Sequence, residues 1–512
     1  MSRHRTVIAS LVCNYAATAC QIICGLAVVP MSIRYLGEEG YGTWLGLTAL
    51  GAIGGLADMG VSGVLVVRLS RALGLERHDD ASAELLSGLA VSAASSVIGG
   101  MLVLGAVVGA GRLSPGSFAV STHVGMTAAA LAFAAMLSQF SVSLTALPTA
   151  QLRPIVTGLV GIATPMAWLF TSWLLVPRLG MAGLAAGFVI RAVVACVPLG
   201  LYNAWFLLRP GGGGTTLDLA RCRSFVMLGT TGFLVRWVQS VLGTFDVVCV
   251  SATQGPAAAT SYANTAKPTM MATGLANAFG GALLPPFTRF LAREKGPPAF
   301  KLFLNSLRLT TIVAGSLAIA FAGVRRQFLT AWVGEHFILP IPLTLAIALA
   351  AVASCTLAFA SYMFGSTGRL LRAQVVTAVE GVTRLSLMAG GAAVGGSLGM
   401  AACAIPTPFI VTGMLLHEMG RFTNVRIPFE DWLALVVDLV LIAAGLVAVS
   451  LLPFVPLGNW QIPLAAAAFG GVALIVLALR SAPLRKLLFE TADAVLPSAV
   501  RRILPVAMSG VK

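Results

Sequence analysis

Apolar runs of about 20 residues alternate along the whole chain with short polar clusters that hold most of the charge. The repeat is that of complete membrane-crossing helices, not of one amphipathic face. The runs predict spans at 7–30, 41–67, 85–110, 118–146, 154–176, 180–208, 224–250, 256–284, 302–323, 337–362, 373–394, 398–419, 432–452 and 460–480. That is about fourteen helices, each long enough for a hydrocarbon layer roughly 30 Å thick. The predicted class is an all-α polytopic membrane protein.

The basic residues orient these spans. With the N-terminus in the cytoplasm, the cytoplasmic loops hold Arg68, Arg71 and Arg77; Arg153; Arg209, Arg221 and Arg223; Arg289, Arg293, Lys295 and Lys301; Arg369 and Arg372; Arg421 and Arg426. The tail adds Arg480, Arg485, Lys486, Arg501, Arg502 and Lys512, whereas the opposite loops hold Arg34, Arg112, Arg178, Arg325 and Arg326. A missed span would invert every later loop, so the asymmetry supports both the helix count and cytoplasmic termini. The expected location is the cytoplasmic (inner) membrane.

Composition agrees. The 512 residues are 58% hydrophobic and 10% charged, with a mean hydropathy of +0.92. A soluble protein carries about a quarter charged residues. The net charge of +15 is what positive-inside bias produces in a multispanning chain, so nucleic acid is not an expected partner. Eight cysteines lie mostly inside apolar runs without a C-x-x-C pair, which indicates neither a metal site nor a redox motif. The N-terminal run is too long for a signal peptide and is read as a retained first span.

The longest linker carries four glycines at 211–214 and divides the chain. The expected organisation is an N-terminal lobe of six spans over 1–208, a cytoplasmic linker over 209–223, and a second lobe of six over 224–419. Two further spans over 420–480 and a basic tail over 481–512 follow. A faint repeat supports two lobes: L-G-E-E-G-Y-G after the first span, Q-G-P-A-A-A-T-S-Y after the seventh. The tail from Pro483 to Leu504 alternates Leu, Ile and Val with Arg and Lys, which suits either an amphipathic segment on the inner membrane surface or a solvated tail.

Charges inside spans are expensive and therefore informative. Arg191, Arg236, Lys267 and Arg384 fall near span centres. Together they predict a water-filled cavity with cationic walls, suited to a phosphate-bearing substrate. Phe233 and Trp237 flank Arg236 and offer aromatic faces beside it. Asp246, Glu380 and Asp58 are candidates for ion coupling. A structural alternative stays open: ion pairs such as Glu380–Arg384, or Arg236 with Asp246, that lock helices together. Asp58, Arg308 and Asp438 lie nearer an interface, where anchoring or capping is the simpler role. No G-x-x-x-x-G-K-[ST] loop is present, and His417-Glu418 lacks the second histidine of H-E-x-x-H. No cofactor is called for, and the short outer loops leave little room for an enzyme site.

The stretch from Pro30 to Gly60 carries a resemblance. Pro30, Tyr35-Leu36-Gly37, Tyr41-Gly42, Trp44 and Leu56-Ala57-Asp58-Met59-Gly60 stand in the order seen in the first hairpin of prokaryotic polysaccharide (lipid-linked oligosaccharide) flippases of the MATE-like MOP superfamily. Gly37, Gly40 and Gly42 are read as the turn, and Tyr41 and Trp44 as aromatics for the bilayer interface. The resemblance implies a flippase, not an enzyme, built from two pseudo-symmetric six-helix lobes plus two C-terminal helices. It implies alternating access, coupling to H+ or Na+, and an undecaprenyl-pyrophosphate-linked oligosaccharide as substrate. Membrane lipids and other polysaccharide-assembly proteins are the expected partners. The alternatives are a MATE-type drug or cation antiporter, disfavoured by span count and basic midspan residues, and a membrane glycan polymerase.

Overall fold

The computed structural model describes residues 3–58, 60–113, 122–151, 153–209, 217–293, 296–365, 367, 370–426, 428–452, 458 and 461–479. The described residues are helical, with no strand among them. The helices are α1 (Arg3–Gly51), α2 (Val61–Gly74), α3 (His78–Leu113), α4 (Thr122–Leu144), α5 (Ala146–Ala150), α6 (Pro154–Leu179), α7 (Met181–Leu207) and α8 (Leu219–Leu242). Then come α9 (Phe245–Gln254), α10 (Pro256–Arg293), α11 (Pro297–Trp332), α12 (Ile341–Gly365), α13 (Leu370–Cys403), α14 (Pro406–Thr423), α15 (Phe429–Ser450) and α16 (Gln461–Leu479). The basic tail and the four-glycine linker lie outside the described residues.

Every expected span has a helix at its position. Among the described residues, 9 helical stretches are long and apolar enough to cross a membrane. Two of them, Ala16–Gly51 and Val375–Thr423, each join two expected spans. The span expected at 224–250 is divided between α8 and α9, and the last helix qualifies only as a shorter apolar one.

The joins are glycines, one residue in α1 and the pair Gly395–Gly396 in α13. Gly37 inside α1 has φ 72° and ψ 177°, and Gly396 inside α13 has φ 58°. Gly180 between α6 and α7 and Gly255 between α9 and α10 have φ of 56° and 91°. These left-handed values are sterically cheap for glycine alone, so the chain turns within one or two residues. The expected three-glycine turn is thus corrected: only Gly37 leaves helical geometry, and Gly42 has another task. A Cβ on Gly42 would stand 1.9 Å from the Pro256 carbonyl oxygen. The first hairpin also accepts a bond from the Thr260 hydroxyl at the Glu38 carbonyl, 2.8 Å away.

Two further expectations are corrected. The span at 41–67 is not one helix; a 3-10 segment, Ala52–Asp58, and left-handed Gly60 (φ 78°) interrupt it before α2. The glycine-rich stretch holds a helix weakly, and a Cβ on Gly54 would meet Val103 of α3 at 2.8 Å and Ala135 of α4 at 3.2 Å. Tyr41 and Trp44 are not interfacial anchors, because each is only 3% exposed and packed against protein. Arg325, expected in an outer loop, is buried in α11 and donates to the Thr344 hydroxyl at 2.9 Å.

The chain divides into two compact units, one of residues 1–264 and 374–403, the other of 265–373 and 404–512. In the first unit α1 packs on α6, α6 on α7, α7 on α4 and α4 on α3. Leu65, Leu69, Leu85, Leu147 and Phe225 form a core there. In the second unit α11 packs against α12, α15 and α16 around Ile312, Ala318, Val352, Ile442 and Leu446. Lipid tails are as apolar as leucine, so association of such helices relies on close contact at small residues. Gly315 lies under Ile442, Gly445 under Ile319 and Gly470 under Ala320.

Candidate functional site

Arg191 lies in α7, half-buried in the first unit. Its guanidinium carbon stands 5.8 Å from the centroid of Phe188, one turn earlier on the same helix. Phe188 is in turn met edge-on by Trp44 of α1 at 5.4 Å and by Trp168 of α6 at 5.3 Å. Gly187 makes this packing possible, since a Cβ there would reach the Trp168 ring at 3.0 Å and the Ser172 hydroxyl at 2.9 Å. Among the described residues no carboxylate pairs with Arg191. The Trp168 indole N–H and the Ser172 hydroxyl are buried without partners. The Arg191 guanidinium of α7, with the unpartnered Trp168 N–H and Ser172 hydroxyl of the adjoining α6, favours an anionic or hydroxyl-rich ligand.

Of the other three expected cations, Arg384 and Lys267 are placed differently. Arg384 is bound to Glu380 one turn earlier on α13, at 3.3 Å, with residue exposures of 7% and 2%. The pair foreseen as the structural alternative therefore exists, and the carboxylate offsets the Arg384 charge. Lys267 is half-buried in α10 and falls in the second unit. Arg236 and Trp237 belong to α8, but their side chains lie outside the described residues, as does that of Asp58.

Asp246 stands in the first turn of α9, just after the break at Gly243–Thr244. It is 5% exposed, and its Oδ1 accepts from the Val247 N–H at 2.8 Å. The Tyr262 hydroxyl of α10 also bonds to it. A helix start carries partial positive charge, which helps a buried carboxylate. Ser251 and both amide atoms of Asn264 are buried nearby in the same two helices without hydrogen-bond partners. Among the described residues no three His, Cys, Asp or Glu side chains come together as a metal site.

Two ionic features were not foreseen. Arg308 of α11 and Asp438 of α15 form a buried pair at 2.7 Å, Asp438 being 1% exposed. Their spacing of 130 residues conceals it from any local pattern. At the start of α8, Arg221 bonds Asp80 at 3.0 Å, Asp218 at 3.1 Å and Glu84 at 3.5 Å. Arg68 bonds Glu84 at 3.2 Å and stacks over Phe225. The Asp80 contact foremost raises the affinity of Arg221 for its proton. The Arg221 backbone N–H, with that of Ala220, holds the Asp218 carboxyl below the usual range. The aromatic cluster was missed because Trp44, Trp168 and Phe188 meet only in the folded chain; the i,i+3 spacing of Phe188 and Arg191 was the one local signal.

Comparison with known proteins places this geometry. A family model described as polysaccharide biosynthesis protein matches residues 12–291. Among solved structures, an inward-facing multidrug resistance MATE family transporter of the MOP superfamily aligns with TM-score 0.61 at 14% identity, covering 79% of this chain and 94% of its own. A Vibrio cholerae MATE transporter aligns with TM-score 0.53 at 15% identity, covering 82% and 98%. A MOP superfamily transporter from Pyrococcus furiosus, whose binding pocket is described as reversed in polarity, aligns with TM-score 0.56 at 14% identity, covering 82% and 95%. At such identities the similarity is one of fold. No curated protein matches.

Proposed function

The chain belongs to the polysaccharide biosynthesis protein family and is a multi-pass membrane transporter, and from that premise we propose that it turns a pyrophosphate-linked oligosaccharide on an isoprenoid carrier across the cytoplasmic membrane. The observation that carries this reading is Arg191. It is a membrane-embedded guanidinium on an aromatic platform, with no described carboxylate to neutralise it. A planar guanidinium binds phosphate oxygens in pairs, and aromatic faces suit sugar rings.

Arg236, Lys267 and Trp237 are each proposed as further contacts for the substrate. Arg384 is assigned a smaller share, because Glu380 already holds it. Coupling to H+ or Na+ is proposed at Asp246, where the Tyr262 hydroxyl and the unpartnered Asn264 and Ser251 supply further oxygens. Glu380 and Asp58 are secondary candidates. The two-lobe organisation, with boundaries at 209–223 and 420, is supported by the glycine turns. They recur between spans one and two, five and six, seven and eight, and eleven and twelve. The orientation with both termini in the cytoplasm follows from the basic loops.

Flipping of a labelled pyrophosphate-linked oligosaccharide in proteoliposomes tests the proposal. Arg191→Ala removes one charge-assisted contact worth roughly 1.5–3 kcal/mol, about tenfold or more in apparent affinity. Arg191→Lys is expected to restore part of it. Wild-type transport by a stable Arg191→Ala protein would refute the site. Transport of organic cations, with no flipping, would instead establish the antiporter.

A further inference from the structure

The inner ends of α14 and α15 carry a groove that the transport reading does not use. Its volume is about 520 Å³, and Ile410, Gly413, Met414, His417, Glu418 and Trp432 are among its lining residues. All belong to the second unit. Ile410, Met414, His417 and Arg421 follow one another at spacings of four, three and four, so they share one face of α14. Along that face the chemistry changes from apolar to charged over about 16 Å of helix. Ile410 is 62% and Met414 53% exposed. A Cβ on Gly413 would stand 3.3 Å from the Trp432 ring, so the missing side chain lets the indole lie against the helix as one wall.

The charged end is mixed, not simply basic. Glu418 holds Arg372 at 2.7 Å through Oε2 and Arg421 at 3.5 Å through Oε1. The second contact is longer than an ordinary hydrogen bond, so Oε1 keeps acceptor capacity. Among the described residues each arginine is engaged through one terminal nitrogen, and their side chains are 57% and 68% exposed. The end of the groove therefore offers guanidinium donors for a phosphate beside a carboxylate for an ammonium, above an apolar wall for chains. A purely anionic headgroup brings no donor to the remaining lone pairs of Glu418, and a quaternary ammonium has no N–H to offer them beside Arg372.

We propose that this groove is a binding site for a zwitterionic phospholipid with a primary ammonium, of the phosphatidylethanolamine type. The phosphodiester accepts from Arg372 and Arg421, the ammonium donates to Glu418, and a chain lies along Met414, Ile410 and Trp432. The site goes beyond the transport proposal and does not depend on the identity of the transported glycan.

Native mass spectrometry of the purified full chain measures it. Phosphatidylethanolamine, its mono- and dimethylated forms, phosphatidylcholine and phosphatidylglycerol, all with the same acyl chains, are added in turn. Retention by the wild type is expected to fall with each methylation, by roughly tenfold from the primary to the quaternary headgroup as the ammonium loses its donors. Glu418→Gln is expected to abolish the discrimination, and Gly413→Leu to lower retention of every lipid by filling the groove. Equal retention across the methylation series would overturn the proposal without recourse to any variant. So would tighter retention of phosphatidylglycerol, or displacement of every lipid by an isoprenoid pyrophosphate at lower concentration, which would give the groove to a transported lipid. Oligosaccharide flipping, measured separately, reports on the transport reading, so the two can fail independently.

Discussion

Two ion pairs in this protein have the same length and opposite surroundings. Arg308–Asp438 and Arg372–Glu418 both measure 2.7 Å, but the side-chain exposures are 12% and 1% in the first and 57% and 22% in the second. Distance alone predicts equal value; burial predicts otherwise. Removing one partner of a buried pair leaves an unsolvated charge, at a cost of about 3–5 kcal/mol. Exposed pairs contribute about 0.2–1 kcal/mol. Asp438→Asn should therefore destabilise the second unit several times more than Glu418→Gln does. Removing both partners as Arg308→Met with Asp438→Leu should recover most of the loss, because no buried charge remains. Equilibrium unfolding in detergent, run as a double-mutant cycle, reads these differences. Raising salt toward 1 M should weaken only the exposed pair, as the Debye length falls to about 3 Å. Equal costs for Asp438→Asn and Glu418→Gln, or strict additivity at Arg308 and Asp438, would refute the claim that burial sets the value.

Gly42→Ala should destabilise the first hairpin, since a Cβ 1.9 Å from the Pro256 carbonyl forces backbone apart, whereas Gly51→Ala meets nothing within 4 Å. Overpacking of this kind costs about 1–3 kcal/mol, and equal melting temperatures for the two variants would contradict it. Asp218 caps α8 by accepting from the Ala220 N–H at 2.9 Å and the Arg221 N–H at 3.3 Å. Its carboxyl is held below the usual range, so its contribution is present above the unfolded pKa near about 3.9 and is lost as pH falls through the lower folded value. Amide exchange at Ala220 and Arg221, corrected for intrinsic rate, should quicken in that acid window and at neutral pH in Asp218→Ala; protection unchanged in both would remove the capping role.

The membrane class and the presence of helix at each expected span were legible from hydropathy, because a bilayer imposes length and apolarity on each segment separately. The Glu380–Arg384 pair was legible for a related reason: residues four apart on a helix are neighbours before any folding occurs. The breaks at Ala52–Asp58 and Gly243–Thr244 were not, since apolarity continues across them. The turn at Gly37 was located, yet the separate task of Gly42 depended on where Pro256 would lie.

What the sequence determined by itself was the local and the one-dimensional: which segments are apolar, which loops are basic, and which charges are inside spans. Tertiary structure decided how those charges are used. It joined Arg308 to Asp438 across 130 residues and set Arg191 beside a ring that Trp44 and Trp168 enclose. Hydropathy records the cost of placing a charge in lipid, which is a property of one residue. Whether that cost is met by a partner or left open for a ligand depends on which helices pack together, and small-residue contacts spread along the chain determine that packing.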